Sequence, residues 1–274
     1  MYQDDRSVSL RTDMPLSRPS DTEGQELADA LERGEFALYL QFVFDLHSSA
    51  LIGAEALSRR IRPVSGLQMP GQYLPALYRT GLIARFDFFM LEKTCAVLQD
   101  WARQGLQLKL SCNLTRATAS APDFTEQLQA ITDRYVFPHD RLILEITEDA
   151  LHSDAQAVRR NMEICRAAGF SVALDDVLAA YATGQGLYDL PADLVKFDRS
   201  LTAGTVTAKG RDQLQQLILL AHGRGADVLC EGVETAEQTA AVRACGSDFI
   251  QGFYYSRVYP LSDAMEYYKA YPSA

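Results

Sequence analysis

From Asp21 the sequence DTEGQELADALERGE carries apolar residues at helical spacing and stops at Gly34, which predicts a leading helix with a glycine end. Ahead of it, Met1 to about Thr22 is rich in Ser, Arg, Asp and Pro and shows no apolar period. Residues 1–22 therefore read as a linker or tail, and 23–274 as one domain. Beyond Gly34, short apolar segments alternate with amphipathic ones. Eight of them predict strands: FALYLQFVFDL, ALIGAEAL, LQLKLSCNL, RLILEIT, FSVALDD, ADLVKFD, ADVLCEG and DFIQGFYY. Helical periodicity fills most of the gaps, as at Arg85–Gln104, Ala121–Tyr135, Ala155–Ala168 and Gln213–Arg224. The strand segments lack clean alternation, as expected of strands covered on both faces. This order predicts an α/β fold with a mostly parallel sheet. Eight strands in 274 residues favour a TIM-like (β/α)8 barrel over an open sheet. No GxGxxG follows the first strand, which argues against a dinucleotide-binding sheet.

Composition narrows the function. With 26 Lys and Arg against 36 Asp and Glu, the formal net charge is -10, which speaks against a phosphate-gripping DNA binder. A small anionic ligand would need local positive groups or metal ions. Apolar stretches such as Phe36–Phe44 fall well short of the ~18 residues of a membrane helix, and no signal-peptide core opens the chain. Five cysteines without a CxxC suit a reducing cytoplasm. The expectation is a cytoplasmic protein with no membrane segment and no DNA partner.

The candidate chemistry lies at the strand ends. Glu55 closes ALIGAEAL, Asn113 closes LKLSCN, and Glu145 closes LILE. Asp175 and Asp176 close VALDD, Asp198 closes LVKFD with Lys196 two before it, Glu231 follows VLC, and Gln251 follows DFI. In a TIM barrel the C-terminal strand ends share one cleft. A lone carboxylate there is commonly a helix cap, but the same feature at seven strand ends exceeds what capping explains. Five crowded carboxylates repel, and cations relieve that conflict. All-oxygen donors without His or thiolate suit Mg²⁺ or Mn²⁺ rather than zinc, and five carboxylates exceed what one such ion takes. Two ions together are a common device for cutting phosphodiesters. His47, His139, His152 and His222 lack ligand spacing and read as surface or lightly packed residues. Cys112 and Cys230 adjoin these positions, with side chains expected on the opposite strand face.

These residues also form a recognisable series. Glu55-Ala56-Leu57-Ser58-Arg59 is an EALxR motif, and the chain from about Leu27 onward resembles the EAL-domain family of cyclic di-GMP phosphodiesterases. YLQFVFD at Tyr39–Asp45 is similar to YYQPIVD, Ser111–Leu114 to SVNL, and LEITED at Leu144–Asp149 to LEITES. TGLI at Thr80–Ile83, Asp175-Asp176, Lys196-Phe197-Asp198, Glu231–Thr235 and Gln251-Gly252-Phe253 resemble the TGLI, DD, KID, EGVET and QGY motifs.

The resemblance implies a TIM-like barrel that hydrolyses cyclic di-GMP to linear pGpG with two Mg²⁺ or Mn²⁺, and inhibition by Ca²⁺. It implies Glu55, Asn113, Glu145 and Asp175 as ligands of one metal and Asp175, Asp176 and Glu231 as ligands of the other. It further implies Lys196 at the attacking water, Glu234 as an orienting group, and Gln41, Leu57, Arg59, Asp198 and Gln251 as substrate contacts. Glu148 would anchor the loop after the DD motif. A homodimer through that loop is implied too, and Met1-Tyr2-Gln3 resembles the exit of an upstream GGDEF domain, as in a longer sensor-bearing chain.

The chain departs from the family where FGTGYSS becomes Val177-Leu178-Ala179-Ala180-Tyr181-Ala182-Thr183, losing glycines that permit backbone angles Leu or Ala resist. Phe42-Val43 replaces Pro-Ile, Arg60 replaces Trp and Val258 replaces Pro; Phe42 and Arg60 are expected to reshape the guanine pocket. Two readings follow: an active phosphodiesterase, or a weak or inactive receptor that binds cyclic di-GMP.

Overall fold

The computed structural model describes residues 21–64, 66–147, 155–177 and 191–271. The leading helix α1 (Asp21–Glu32) ends just before Gly34, whose φ of +70° turns the chain into β1 (Phe36–Asp45). A short turn returns it as β2 (Leu51–Arg62), edged by the small β3 (Gly66–Gln68). Helices α2 (Pro70–Arg79) and α3 (Ile83–Arg103) lead to β4 (Lys109–Leu114). Then come α4 (Arg116–Ala119), α5 (Phe124–Thr132), β5 (Leu142–Thr147), α6 (Ala155–Ala167) and β6 (Ser171–Val177). The last third holds β7 (Leu194–Phe197), α7 (Arg199–Gly204), α8 (Ala208–His222), β8 (Asp227–Cys230), α9 (Ala236–Cys245) and β9 (Phe249–Ile250). The described chain closes with β10 (Val258–Pro260) and α10 (Leu261–Ala270).

Strands β2, β4, β5, β6, β7, β8 and β9 run parallel, and β1 closes the ring by pairing with both β2 and β9. The barrel expected from the sequence is present, with one difference. The β1–β2 connection is a hairpin, too short for a crossover helix, so β1 is antiparallel to both neighbours. On β1 the outward residues Phe36, Leu38, Leu40, Phe42 and Phe44 are buried under the helices, while inward Tyr39, Gln41, Val43 and Asp45 are only half-buried. The main core is thus the layer between ring and helices. Among the described residues, no helix is long and apolar enough to cross a membrane.

Candidate active site

Register brings the polar strand ends to one height. Glu55 lies beside Ser111, Asn113 beside Glu145, and Thr147 beside Asp175. Glu55 does not end its strand, as the apolar run suggested. It stands one residue before the end of the β2 segment that pairs with β4, and β2 continues to Arg62 against β1 and β3.

At the centre stands Lys196, 1% exposed on β7. Its Nζ is 2.9 Å from Asp175 Oδ1, 2.9 Å from Glu231 Oε1, 3.0 Å from Glu145 Oε1 and 3.5 Å from Glu55 Oε2. The sequence reading missed this lysine as an internal counter-charge; its position inside an apolar strand, LVKFD, was the available signal. The Glu55 carboxylate is held on both oxygens: Asn113 Nδ2 donates to Oε1 at 3.0 Å, and Gln251 Nε2 donates to Oε2 at 3.1 Å. Gln251 Nε2 also lies 3.3 Å from Gln41 Oε1, so Gln41, Gln251 and Glu55 form one polar row.

Two glycines set the flanks. A Cβ on Gly232, which has a φ of +66°, would stand 2.2 Å from Cβ of Arg199, and one on Gly252 would stand 2.1 Å from the Val233 carbonyl oxygen. These close approaches fix Glu231 and Gln251 beside the ring. Asp176 has a φ of +57°, costly for a residue with a Cβ and the kind of strain that collects at functional sites.

The electrostatics follow from burial. Burial would raise the Glu55 carboxyl, but Lys196 and the Asn113 and Gln251 hydrogen bonds hold it below its ordinary value. Burial pushes Glu145 up to about 8, with Glu55 and Asp175 adding repulsion against the pull of Lys196. Burial and Asp175 push Asp176 up to about 7. Asp175 and Glu231 are raised by burial as well, while the surrounding carboxylates drive Lys196 well above the usual lysine range. One ammonium thus stands among five carboxylates, and burial magnifies the imbalance.

The donors fit hard divalent cations. Asp175, Asp176 and Glu231 each offer an oxygen within 4.8 Å of the others. Oε2 of Glu145 is buried without a hydrogen-bond partner, and such orphaned carboxylate oxygens are rare unless something ligates them. Beside this cluster a cleft runs between the ring and α2–α3, with Leu57, Asn113, Asp175 and Asp176 on one wall and Leu74 and Tyr78 on the other.

Other expected residues sit differently. Asp198 caps α7, accepting from Ser200 N at 2.8 Å, and its charge also reaches Asp176. Glu234 is exposed, and its carboxylate makes no hydrogen bond or ion pair among the described residues. Arg59 is 3% exposed, with Nη1 donating to the Ser58 carbonyl at 2.8 Å and its guanidinium over the Tyr39 ring. Phe42 and Arg60 do not line the cleft; they take the strand face opposite Gln41 and Arg59. Phe42 stacks on Tyr267 of α10, and Arg60 pairs with Glu26 of α1 and with Glu35. Cys112 and Cys230 are buried free thiols, raised by burial. Glu148, His152 and residues 178–183 lie outside the described residues.

The EAL domain profile matches residues 24–258. The chain belongs to the EAL domain family. The probable cyclic di-GMP phosphodiesterase PdeA of Escherichia coli (strain K12) is 29% identical over 235 residues, covering 85% of this EAL chain and 32% of PdeA. The solved PaMucR phosphodiesterase in complex with c-di-GMP superposes with a TM-score of 0.80 at 27% identity, over 89% of this chain and 99% of that one. The FimX EAL domain from Pseudomonas aeruginosa bound to c-di-GMP reaches 0.80 at 22% identity, over 88% and 97% of the two chains, a likeness of fold. The chain spans about a third of the first curated relatives it matches, 34% and 29% of their lengths.

Proposed function

We propose that this EAL domain hydrolyses cyclic di-GMP to linear pGpG with two divalent cations, Mg²⁺ or Mn²⁺. The observation that carries the reading is the cluster around Lys196, five carboxylates with one ammonium at the mouth of the ring. Glu55, Asn113, Glu145 and Asp175 would hold one ion, and Asp175, Asp176 and Glu231 the other. Bound there, the ions supply positive charge to a phosphate and acidify a water. Lys196 is fixed by its carboxylates at the centre, where its ammonium donates to the attacking oxygen and keeps it in line. Gln41 and Gln251 orient Glu55 and face the substrate, with Leu57 along the cleft wall. Arg59 meets a phosphate oxygen, Asp198 shapes the edge near Asp176, and Glu234 swings in only with substrate. Water adds to one phosphorus, the 3′ oxygen leaves with a proton, and the ring opens to a single linear dinucleotide. Glu148 would steady the following loop, through which two copies pair. In a longer chain an upstream GGDEF or sensor domain would sit before residue 23.

The test is chromatographic turnover of cyclic di-GMP with Mn²⁺ or Mg²⁺, with Ca²⁺ as inhibitor. The native chain yields pGpG, and Glu55→Ala lowers the rate by at least about 10³-fold, since both an ion and the polar row lose their anchor. A native chain without turnover above that control rejects the reading. The altered segment after Asp176 supports a second reading, a receptor that binds without cleaving. Restoring Phe-Gly-Thr-Gly at positions 177–180 separates the two: a large gain in rate marks the native loop as crippled, and no gain marks it as neutral drift.

A further inference from the structure

The other end of the barrel is only partly filled, with Ala173, Leu194 and Leu229 forming a small buried cluster inside the ring. TIM-type interiors are filled by layers of branched side chains and form a packed core. Here three neighbouring positions, Gly53, Ser111 and Ala173 on β2, β4 and β6, supply little or no side chain to the interior. Beside them Val43, the register partner of Gly53, and Ile143, the partner of Ser111, stay only partly buried, as does Phe249. A cavity of about 470 Å³ results. Its walls are apolar, from Val43, Ile143, Leu194, Leu229 and Phe249, and Ser111 and Glu145 form its inner end. At the rim Lys109 and Asp227 stand opposite in sign, and neither ammonium nor carboxylate has an ion pair among the described residues.

This mouth opens on the N-terminal side of the strands, away from the cleft that Leu57 and Asp176 line. Water against a concave apolar wall is readily displaced by an apolar body, and pockets of this size and lining are the usual form of small-molecule sites. The balanced rim favours neither cations nor anions, and the Ser111 hydroxyl offers one hydrogen bond at depth. We propose that the N-terminal mouth is a second ligand site for a compact, mostly apolar, uncharged molecule with a single hydrogen-bonding group, of the class of an aromatic alcohol or an indole. Occupancy reaches the acidic cluster through Glu145, which lines the cavity and contacts Lys196. The ligand site stands without the phosphodiesterase reading; only this coupling rests on it.

Benzyl alcohol and indole are the probes, used with the full chain in Mn²⁺. Each raises the unfolding midpoint saturably, by roughly 5–10 °C at a hundred times its Kd. Ile143→Phe and Leu194→Phe fill the chamber and abolish the shift while keeping a cooperative transition. Should neither variant fold, Ser171→Cys at the mouth reports instead. The five native cysteines are buried, so the added thiol labels over a quiet background and saturating probe slows it at least tenfold. Absence of a saturable shift in the native chain, an equal shift in a folded filled variant, or unprotected labelling overturns the site. Coupling is read as Mn²⁺ affinity by calorimetry, changed several-fold by saturating indole, and reciprocally indole affinity by Mn²⁺. Indole that binds and leaves Mn²⁺ affinity untouched overturns the coupling alone, and loss of turnover in the native chain bears on neither binding result.

Discussion

Among the described residues three cations are buried, Arg59, Arg60 and Lys196, and the surroundings of the last two differ in kind. Arg60, 3% exposed, pairs with Glu26 of α1 and with Glu35, lies over the Phe36 ring, and has Arg33 and Arg62 sharing the same two acids. Three guanidinium groups meet two carboxylates, so the network is nearly balanced and complete as built. Lys196, 1% exposed, contacts four carboxylates, with Asp176 close by as a fifth. That cluster holds four more carboxyl groups than cations, a surplus reflected in the raised pKa values of Glu145, Asp176 and Glu231, and is incomplete. Burial alone therefore does not mark a site. The imbalance does, because a fold gains nothing by collecting like charges unless something else enters.

The contrast is broken most sharply by removing one group from each cluster. Arg60→Leu strips half-buried Glu35 of one of its two guanidinium partners and the Phe36 ring of its cation, and costs about 3 kcal/mol, a fall of roughly 6–12 °C in the unfolding midpoint. Glu231→Gln has the opposite sign of consequence. Its carboxyl is already raised well above its ordinary value, so the metal-free midpoint does not fall, whereas Mn²⁺ affinity drops at least about tenfold. Calorimetric scans and a metal titration of both variants check the pair; a stability loss in Glu231→Gln matching that of Arg60→Leu would erase the distinction.

A smaller effect sharpens it. In the metal-free fold Glu145 is raised from 4.5 to about 8 and Asp176 from 3.8 to about 7, by burial first and by neighbouring carboxylates after it. Folded pKa values above unfolded ones mean the native state binds more protons between about pH 4 and 8. The stability these groups contribute is present below pH 4 and is lost as pH rises through 7 and 8. Entering cations displace those protons, so Mn²⁺ affinity climbs across the same window, by up to about tenfold per pH unit for each proton released. Calorimetry in two buffers of different ionisation enthalpy measures that release. The Arg60 network, whose Glu35 is held below its ordinary value, shows no such dependence above pH 5.

Much of this was legible in the sequence. The eight apolar runs became the eight ring strands, because parallel strands buried on both faces leave an unmistakable hydrophobic trace. Glu55, Asn113, Glu145, Asp175, Asp176, Glu231 and Gln251 could be found from their position after such runs. What could not be read is whatever depends on which face a side chain takes at a strand whose two faces are similarly apolar. Phe42 and Arg60, expected from the sequence to alter the guanine pocket, point into the helical layer. Lys196 was visible as a residue but not as the hub, since only register brings four strands' carboxylates around one nitrogen. The reversed direction of β1 was also hidden, because an apolar run reads the same in either sense.

That reversed strand has a consequence for how the protein is made. β1 leaves the ribosome well before its partner β9, which comes about two hundred residues later. At roughly 5–20 residues per second, Phe44 and Asp45 wait some 10–40 s for Ile250 and Phe249. Through that interval the nascent chain carries an unpaired edge beside a row of phenylalanines, the kind of template that pairs with the wrong strand. Ring closure therefore waits for the synthesis of β9, and that delay bears on how much newly made chain reaches the native fold.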